Sequence, residues 1–459
     1  MTIKLKKIIF FSLLTVIMVS GFGCKSCPFQ KVENKPITLN WWGVWETNDD
    51  VTDLINGFKL SHPNVNINYR KFRYEDYENE LLEALAEDRG PDIFSLPNTW
   101  INKYKTKLLA QPATVTLTFQ EIKGALKKEP ILTQKKINTL SLNQIKNQFV
   151  ETVYQDVVLD NQIYGLPLSL DTLALYYNSD LLNNFGVATP PKTWDEFNNA
   201  VQKLTLFNED EEIIQAGATL GTAENVPRSF DILSLLMMQN GTAMTSSDNR
   251  QATFNQLQPT NANSQYNPGL VALTYYTDYA NPAKVIYTWN NQMPNAYEQF
   301  CSNKVAFFFG YSYHYSQIKN CAPQLNLGIT QFPQIDQTAS PLNYANYWVL
   351  SVSKKSLLSD AAWGFINFAV QKENNKIYLN KTKRPTALRA LVEEQLADEE
   401  NPQLQVFASQ VLTARSWYHG KDPLAAENYF SQMIDNVLTG ALTPQESINL
   451  AASQINSTF

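Results

Sequence analysis

Between Ile163 and Phe197 the chain reads IYGLPLSLDTLALYYNSDLLNNFGVATPPKTWDEF, and few architectures accept that order of turn, strand and helix starts. Gly165 and Pro167 break any helix, Thr172 to Tyr177 is an apolar, aromatic strand, and Asn178 with Asp180 caps a short helix. Pro190 and Pro191 then stop the chain before Thr193, which opens a new helix as N-cap with Glu196 at the capping-box spacing. Asp171 falls where the turn meets the strand, a place from which a carboxylate can face a crevice instead of a core. The bland reading is that these residues only build an αβ unit.

Taken as YGLPLSLD, LALYYNSDLL and PPKTWDEF, the stretch resembles the family 1 extracellular solute-binding proteins of ABC importers, the group containing the maltose-type sugar-binding proteins. The resemblance extends roughly over residues 37 to 459, with NWWGVW, INGFKLSHPNVNINY and LLEALAEDRGPDIFSLP as its opening and FCSNKVAFFFGYSYHY later. It implies an α/β protein of two lobes with a periplasmic-binding-protein-like fold. Each lobe would be a mixed, mostly parallel sheet flanked by helices, the two joined by a multi-segment hinge. The implied division is 37–169 with 347–383 as lobe 1 and 170–346 with 384–459 as lobe 2. Crossings are expected near Leu168 to Leu173, Tyr344 to Trp348 and Lys383 to Pro385.

A chain of 459 residues exceeds what one core usually serves, which independently calls for two halves. Lys4, Lys6 and Lys7 precede an apolar run from Ile8 to Phe22 that is short for a membrane span and ends in small residues, the pattern of an export leader over 1–23. Gly21-Phe22-Gly23-Cys24 resembles a bacterial lipobox, which would make Cys24 the lipid-bearing first residue, with Cys27 as a weaker rival. Gly21 departs from the usual leucine. Residues 24–36 then read as a polar tether holding the body at the outer face of the membrane. Cys301 and Cys321, the only other cysteines, are a candidate disulfide in an oxidising compartment, with two free thiols as the alternative.

The formal charge is -6, and loss of the three leader lysines takes it to -9. Without a dense Lys/Arg stripe this argues against a nucleic-acid partner. Lys127, Lys128, Lys135 and Lys136 form one local basic cluster, read as a solvated helix face. Residues 111–150 match the resemblance poorly and are expected to be a Lys-rich helical insertion, while the Ser-, Asn- and Gln-rich residues 245–268 read as a surface excursion.

From Ile37 to Leu96 the pattern is strand, loop, helix, strand, helix, turn, strand, the start of a doubly wound unit. Loops at the carboxyl ends of such strands are where these sheets bind ligands, so Trp45, Glu46, Asn98 and Trp100 are candidates for one cleft wall. Trp41 and Trp42 read as core. Through the resemblance, Tyr311, Tyr313, His314 and Tyr315 are candidates for the opposite wall, about half of them in contact with ligand, and Asn346 and Trp348 join them with Asp171 at the hinge.

His62, His314 and His419 are isolated in sequence, and no metal-ligand spacing, nucleophile elbow or phosphate loop occurs, so no catalytic residue, metal or cofactor is assigned. Aromatic faces with carboxylates and amides suit a sugar's CH face and hydroxyl rim. The expected function is reversible, hinge-driven capture of an extracellular carbohydrate, oligosaccharide in size, by a monomer that delivers it to membrane permease subunits. Rivals are a binder of polyamine, peptide or glycerol phosphate, a secreted carbohydrate-active enzyme, and a sensor subunit.

Overall fold

The computed structural model describes residues 35–123, 129–259, 265–336 and 340–459. The leader, Cys24 and nearly all of the 24–36 tether lie outside the described residues, as do Lys127 and Lys128. Among the described residues no helix is long and apolar enough to cross a membrane.

The chain builds two sheets, each with its own core. In the first, Val65–Lys71, Ile37–Gly43 and Ile93–Pro97 run parallel, and Trp348–Val352 returns antiparallel between Ile93–Pro97 and Leu166–Pro167. The helix Asn48–Ser61 starts on a capping box between Thr47 and Asp50 and turns Val51, Leu54 and Phe58 inward. Trp41, fully buried, packs on Tyr69 at 4.8 Å and Phe365 at 5.6 Å, and Trp42 is also buried, so both serve the core as expected.

The second sheet runs Leu206–Phe207, Ile213–Ala218, Val305–Gly310, Ala174–Asn178, Leu327–Gln331 and is likewise mixed. Its central strand Val305–Gly310 is buried at every position, in keeping with an uninterrupted apolar run covered on both faces. The local readings from the organising stretch hold: Asn178 accepts from the amides of Asp180 and Leu181, and Thr193 forms a capping box with Glu196. A disulfide joins Cys301 to Cys321, tying the end of the helix Ala296–Cys301 to the end of the helix Tyr313–Cys321.

A three-stranded ribbon links the halves: Ala414–Arg415 beside Asn343–Asn346 beside Asp171–Thr172. Two of these strands fall at expected crossings. The third does not, because Ala387, Leu388, Leu391 and Val392 still pack in the first core; Phe407 then packs in the second, Val411 and Ala414 return to the first, and Trp417 and Tyr418 lie in the second. Residues 383–385 instead line the hinge, where the Pro385 carbonyl accepts from the Leu170 amide. The sequence reading, which counted 384–459 with the second half, is corrected to that extent.

The insertion is also corrected. Thr114–Lys123 and Glu129–Asn138 pair as an antiparallel ribbon, followed by a single short helix, Leu142–Gln148. Val115, Leu117 and Phe119 alternate with threonines, and that period of two, not the lysine content, sets the structure. Leu117 seats against Gly364, where an added Cβ would meet its Cδ1 at 2.7 Å. Lys135 and Lys136 are exposed on this strand instead of on a helix. The 245–268 excursion is pinned by Phe254, which is fully buried against Trp417 and Phe430.

Candidate ligand cleft

Much of the lining of the gap between the halves comes from strand ends. In the first half, Val44-Trp45-Glu46 follows Ile37–Gly43, Tyr74 opens the helix after Val65–Lys71, and Asn98 and Trp100 follow Ile93–Pro97. In the second, Tyr311-Ser312-Tyr313 follows Val305–Gly310. Strand ends leave backbone and side chains free to face a crevice, which is why both sets meet there.

The gap divides into a chamber of about 1180 Å³ and a smaller one of about 260 Å³. Trp45, Tyr74, Tyr311, Tyr313, Asn346 and Trp348 line both. The partition is aromatic: Trp45 stacks on Tyr313 from the other half at 5.5 Å and on Tyr74 at 6.0 Å, and meets Trp348 edge-on at 6.0 Å.

Of the sequence candidates, Trp45, Tyr311, Tyr313, Asn346 and Trp348 thus come together, and Glu46, Asp171 and Tyr315 line the large chamber. Asn98 and Trp100 line the small one. Trp100 is largely covered, its ring parallel to Tyr104 at 5.8 Å and under the Lys103 ammonium at 4.7 Å. His314 lies in neither lining. Its ring is buried against Tyr313, Phe308 and Tyr176, and Nδ1 accepts from the Tyr311 amide at 3.0 Å. Burial pushes its pKa down to about 3, so it stays neutral as a packing residue behind the wall, which corrects its expected place on it.

The acidic groups are held rather than free. Glu46 accepts from Arg384 Nη1 at 2.7 Å and from the Tyr378 hydroxyl at 2.9 Å. Asp171 accepts from the Ser312 hydroxyl at 2.6 Å, the Ser312 amide at 3.0 Å and the Thr172 amide at 2.9 Å. Burial raises its pKa to about 6 in spite of those donors.

Sequence reasoning missed the polar floor of the small chamber. Asp231 takes both Nε and Nη2 of Arg228, at 2.7 and 2.9 Å, together with the Tyr311 hydroxyl at 2.5 Å and Asn346 Nδ2 at 3.3 Å. Arg228 adopts a left-handed φ of 65° at the start of the helix Ser229–Gln239, a strained backbone of the kind found at binding sites. No local pattern announces it. Tyr74 and Ser312 were findable, the first by the strand-end rule and the second by lying between two named tyrosines. Among the described residues no group of three or more His, Cys, Asp or Glu side chains is placed to hold a metal ion.

The family described as bacterial extracellular solute-binding protein matches residues 53–404. The galactooligosaccharide-binding protein of Bacillus subtilis (strain 168) is 20% identical over 455 residues, covering 97% of this chain and 96% of that one. Binding proteins of Brucella abortus and Brucella suis are 21% identical over 152 residues, and the matched part spans only 31% of their length. The crystal structure of the cyclic alpha-maltosyl-1,6-maltose binding protein from Arthrobacter globiformis superposes with a TM-score of 0.71 at 18% identity, over 92% of this chain and 99% of that one, and so shares the fold. With two cored halves, a three-stranded hinge and a family match across most of its length, this chain belongs to the bacterial extracellular solute-binding proteins.

Proposed function

We propose that the protein is the solute-binding component of an ABC importer and captures a carbohydrate of oligosaccharide size between its halves. The observation that carries this reading is the facing pair of rings, Trp45 from one half and Tyr313 from the other, 5.5 Å apart and within 23° of parallel. Flat apolar faces with polar edges match the CH face and hydroxyl rim of a pyranose. Trp348 supplies a third ring and Asn346 an amide, while Asp171 and Glu46 fix the hinge side. The large chamber, about 1180 Å³, lies above the usual range of about 300–1,000 Å³ for small-molecule pockets, in keeping with a ligand of several rings. The similarity to proteins named for galactooligosaccharide and cyclic maltosyl-maltose binding points the same way.

Capture then follows from two-state closure. The ligand favours the closed form only by binding it better than the open form, which rings contributed from both sides achieve. In this reading the chain is exported, attached through Cys24 to the outer face of the membrane, and passes its solute intact to permease subunits as a monomer with no covalent step. Ligand-induced melting shifts across maltotetraose, a galactooligosaccharide, spermidine, a dipeptide and glycerol 3-phosphate test it. A shift with a sugar alone is expected. A shift only with spermidine, peptide or glycerol 3-phosphate, or breakdown of a sugar on incubation, would overturn the reading.

A further inference from the structure

Three parts of the cleft meet on one buried carboxylate. Asp156, on the helix Glu151–Val157, is 2% exposed. Its Oδ2 accepts from Asn98 Nδ2 at 3.0 Å and the Tyr347 hydroxyl at 2.5 Å, and its Oδ1 accepts from His419 Nε2 at 2.9 Å and from the Ser416 hydroxyl. Asn98 lines the small chamber and Tyr347 the large one. Ser416 and His419 follow directly on the third crossing strand, Ala414–Arg415.

The same segment is fastened to the first half along its length. Arg415 pairs with Glu151 at 2.8 Å, the hydroxyls of Ser416 and Thr152 lie 3.2 Å apart, and Asn102 Nδ2 donates to the His419 carbonyl at 2.8 Å. Yet Trp417 and Tyr418, between these contacts, pack in the second core. Residues 415–419 therefore join the two cores at the pivot itself.

We propose that Asp156 is a positioning residue for solute capture, and that the charge on His419 sets how firmly it clasps the third crossing to the cleft wall. The proposal rests on the interlobe cleft but not on the identity of the solute. A buried carboxylate without a cationic partner is costly, so neutral His419 leaves the clasp weaker than charged His419. Burial opposes a charged imidazole, but the hydrogen bond and charge of Asp156, with the Trp417 backbone, outweigh it and leave the His419 pKa raised. On the surrounding elements Glu151 is taken by Arg415 and Lys103 by Glu78, which leaves Asp156 as the charge that acts on the ring. With the folded pKa above the ordinary value of 6.5, the clasp is at full strength below that pH and weakens as pH rises through the folded value.

The test uses the full chain, its His419→Gln and Asp156→Asn variants, and two readouts between pH 5.5 and 8.5: X-ray scattering without solute, and maltotetraose affinity. The wild type is expected to expand and to bind maltotetraose several-fold more weakly as pH rises. His419→Gln should lose the scattering trend and keep only the affinity change that titration of Asp171 in the large chamber contributes, while staying folded, and Asp156→Asn should bind about tenfold more weakly at pH 6. Superimposable pH profiles for wild type and His419→Gln would overturn the proposal, whatever becomes of Asp156→Asn. If maltotetraose fails to bind at every pH, the sugar reading is in question and the scattering alone decides the clasp.

Discussion

Trp45 and Tyr313 lie face to face across the gap, 23° from parallel, one carried by each half of the chain. Neither ring can reach the other unless the halves are drawn together, so the stack is both the partition of the cleft and a report of its closure. Aromatic pairs of this kind contribute about 0.5–1.5 kcal/mol beyond the area they bury. Trp45→Ala and Tyr313→Ala should each weaken maltotetraose binding by up to about tenfold, whereas Tyr313→Phe keeps the ring and most of the affinity. Titration followed by tryptophan emission of the Tyr313 variants, and calorimetry of the Trp45 variant, check this. Unchanged affinity in Trp45→Ala would remove the stack from the site.

Arg384 reaches from the hinge to Glu46, whose side chain is only 10% exposed. Removing the guanidinium strands a buried carboxylate beside the Tyr378 hydroxyl. Arg384→Ala should cost on the order of 3 kcal/mol in a denaturation experiment, and adding Glu46→Gln should recover much of it. Additive losses in the double variant would show that the two side chains do not act as a pair.

Asp171 gives a pH signature of defined sign. Its folded pKa, about 6, lies above the ordinary 3.8, so the native state holds the proton more tightly than the unfolded chain. Its contribution is fully present below about pH 4 and is lost as pH rises through about 6. The stability of wild type minus that of Asp171→Asn should therefore fall across that interval and level off above it. A rising difference would contradict the buried setting of the carboxylate.

Gly364 makes room for Leu117 of the inserted ribbon. Gly364→Ala should destabilise by about 1–3 kcal/mol through overpacking. Pairing it with Leu117→Ala should cost less than the two single losses combined, because the smaller side chain admits the new methyl. Denaturant midpoints of the four proteins decide the matter, and strict additivity would mean that the ribbon does not pack as described.

Much of the fold was legible because it depends on local rules. The capping box at Thr193, the buried strand Val305–Gly310 and the order around Asp171 follow from spacing and side-chain chemistry within a few residues. The ribbon at 114–138 was misread because lysine content was weighed above the alternation of Val115, Leu117 and Phe119. The third crossing was misplaced for another reason. Whether Leu388 and Leu391 belong to one core or the other is fixed by contacts far away in sequence.

The site divides along the same line. Taken alone, the amino-acid order determined two halves, strand-end loops, and the aromatic and acidic residues that decorate them, since each depends on near neighbours. Only the folded chain decided that Trp45 meets Tyr313, that Arg228 is turned to grip Asp231, that His314 retires behind the wall, and that Asp156 gathers Asn98, Tyr347 and His419. Apart from the Arg228–Asp231 pair and the Tyr311–His314 bond, each three positions long, those are relations between residues tens to hundreds of positions apart. Their geometry is set by how two cores pack and pivot, a quantity that no local pattern encodes.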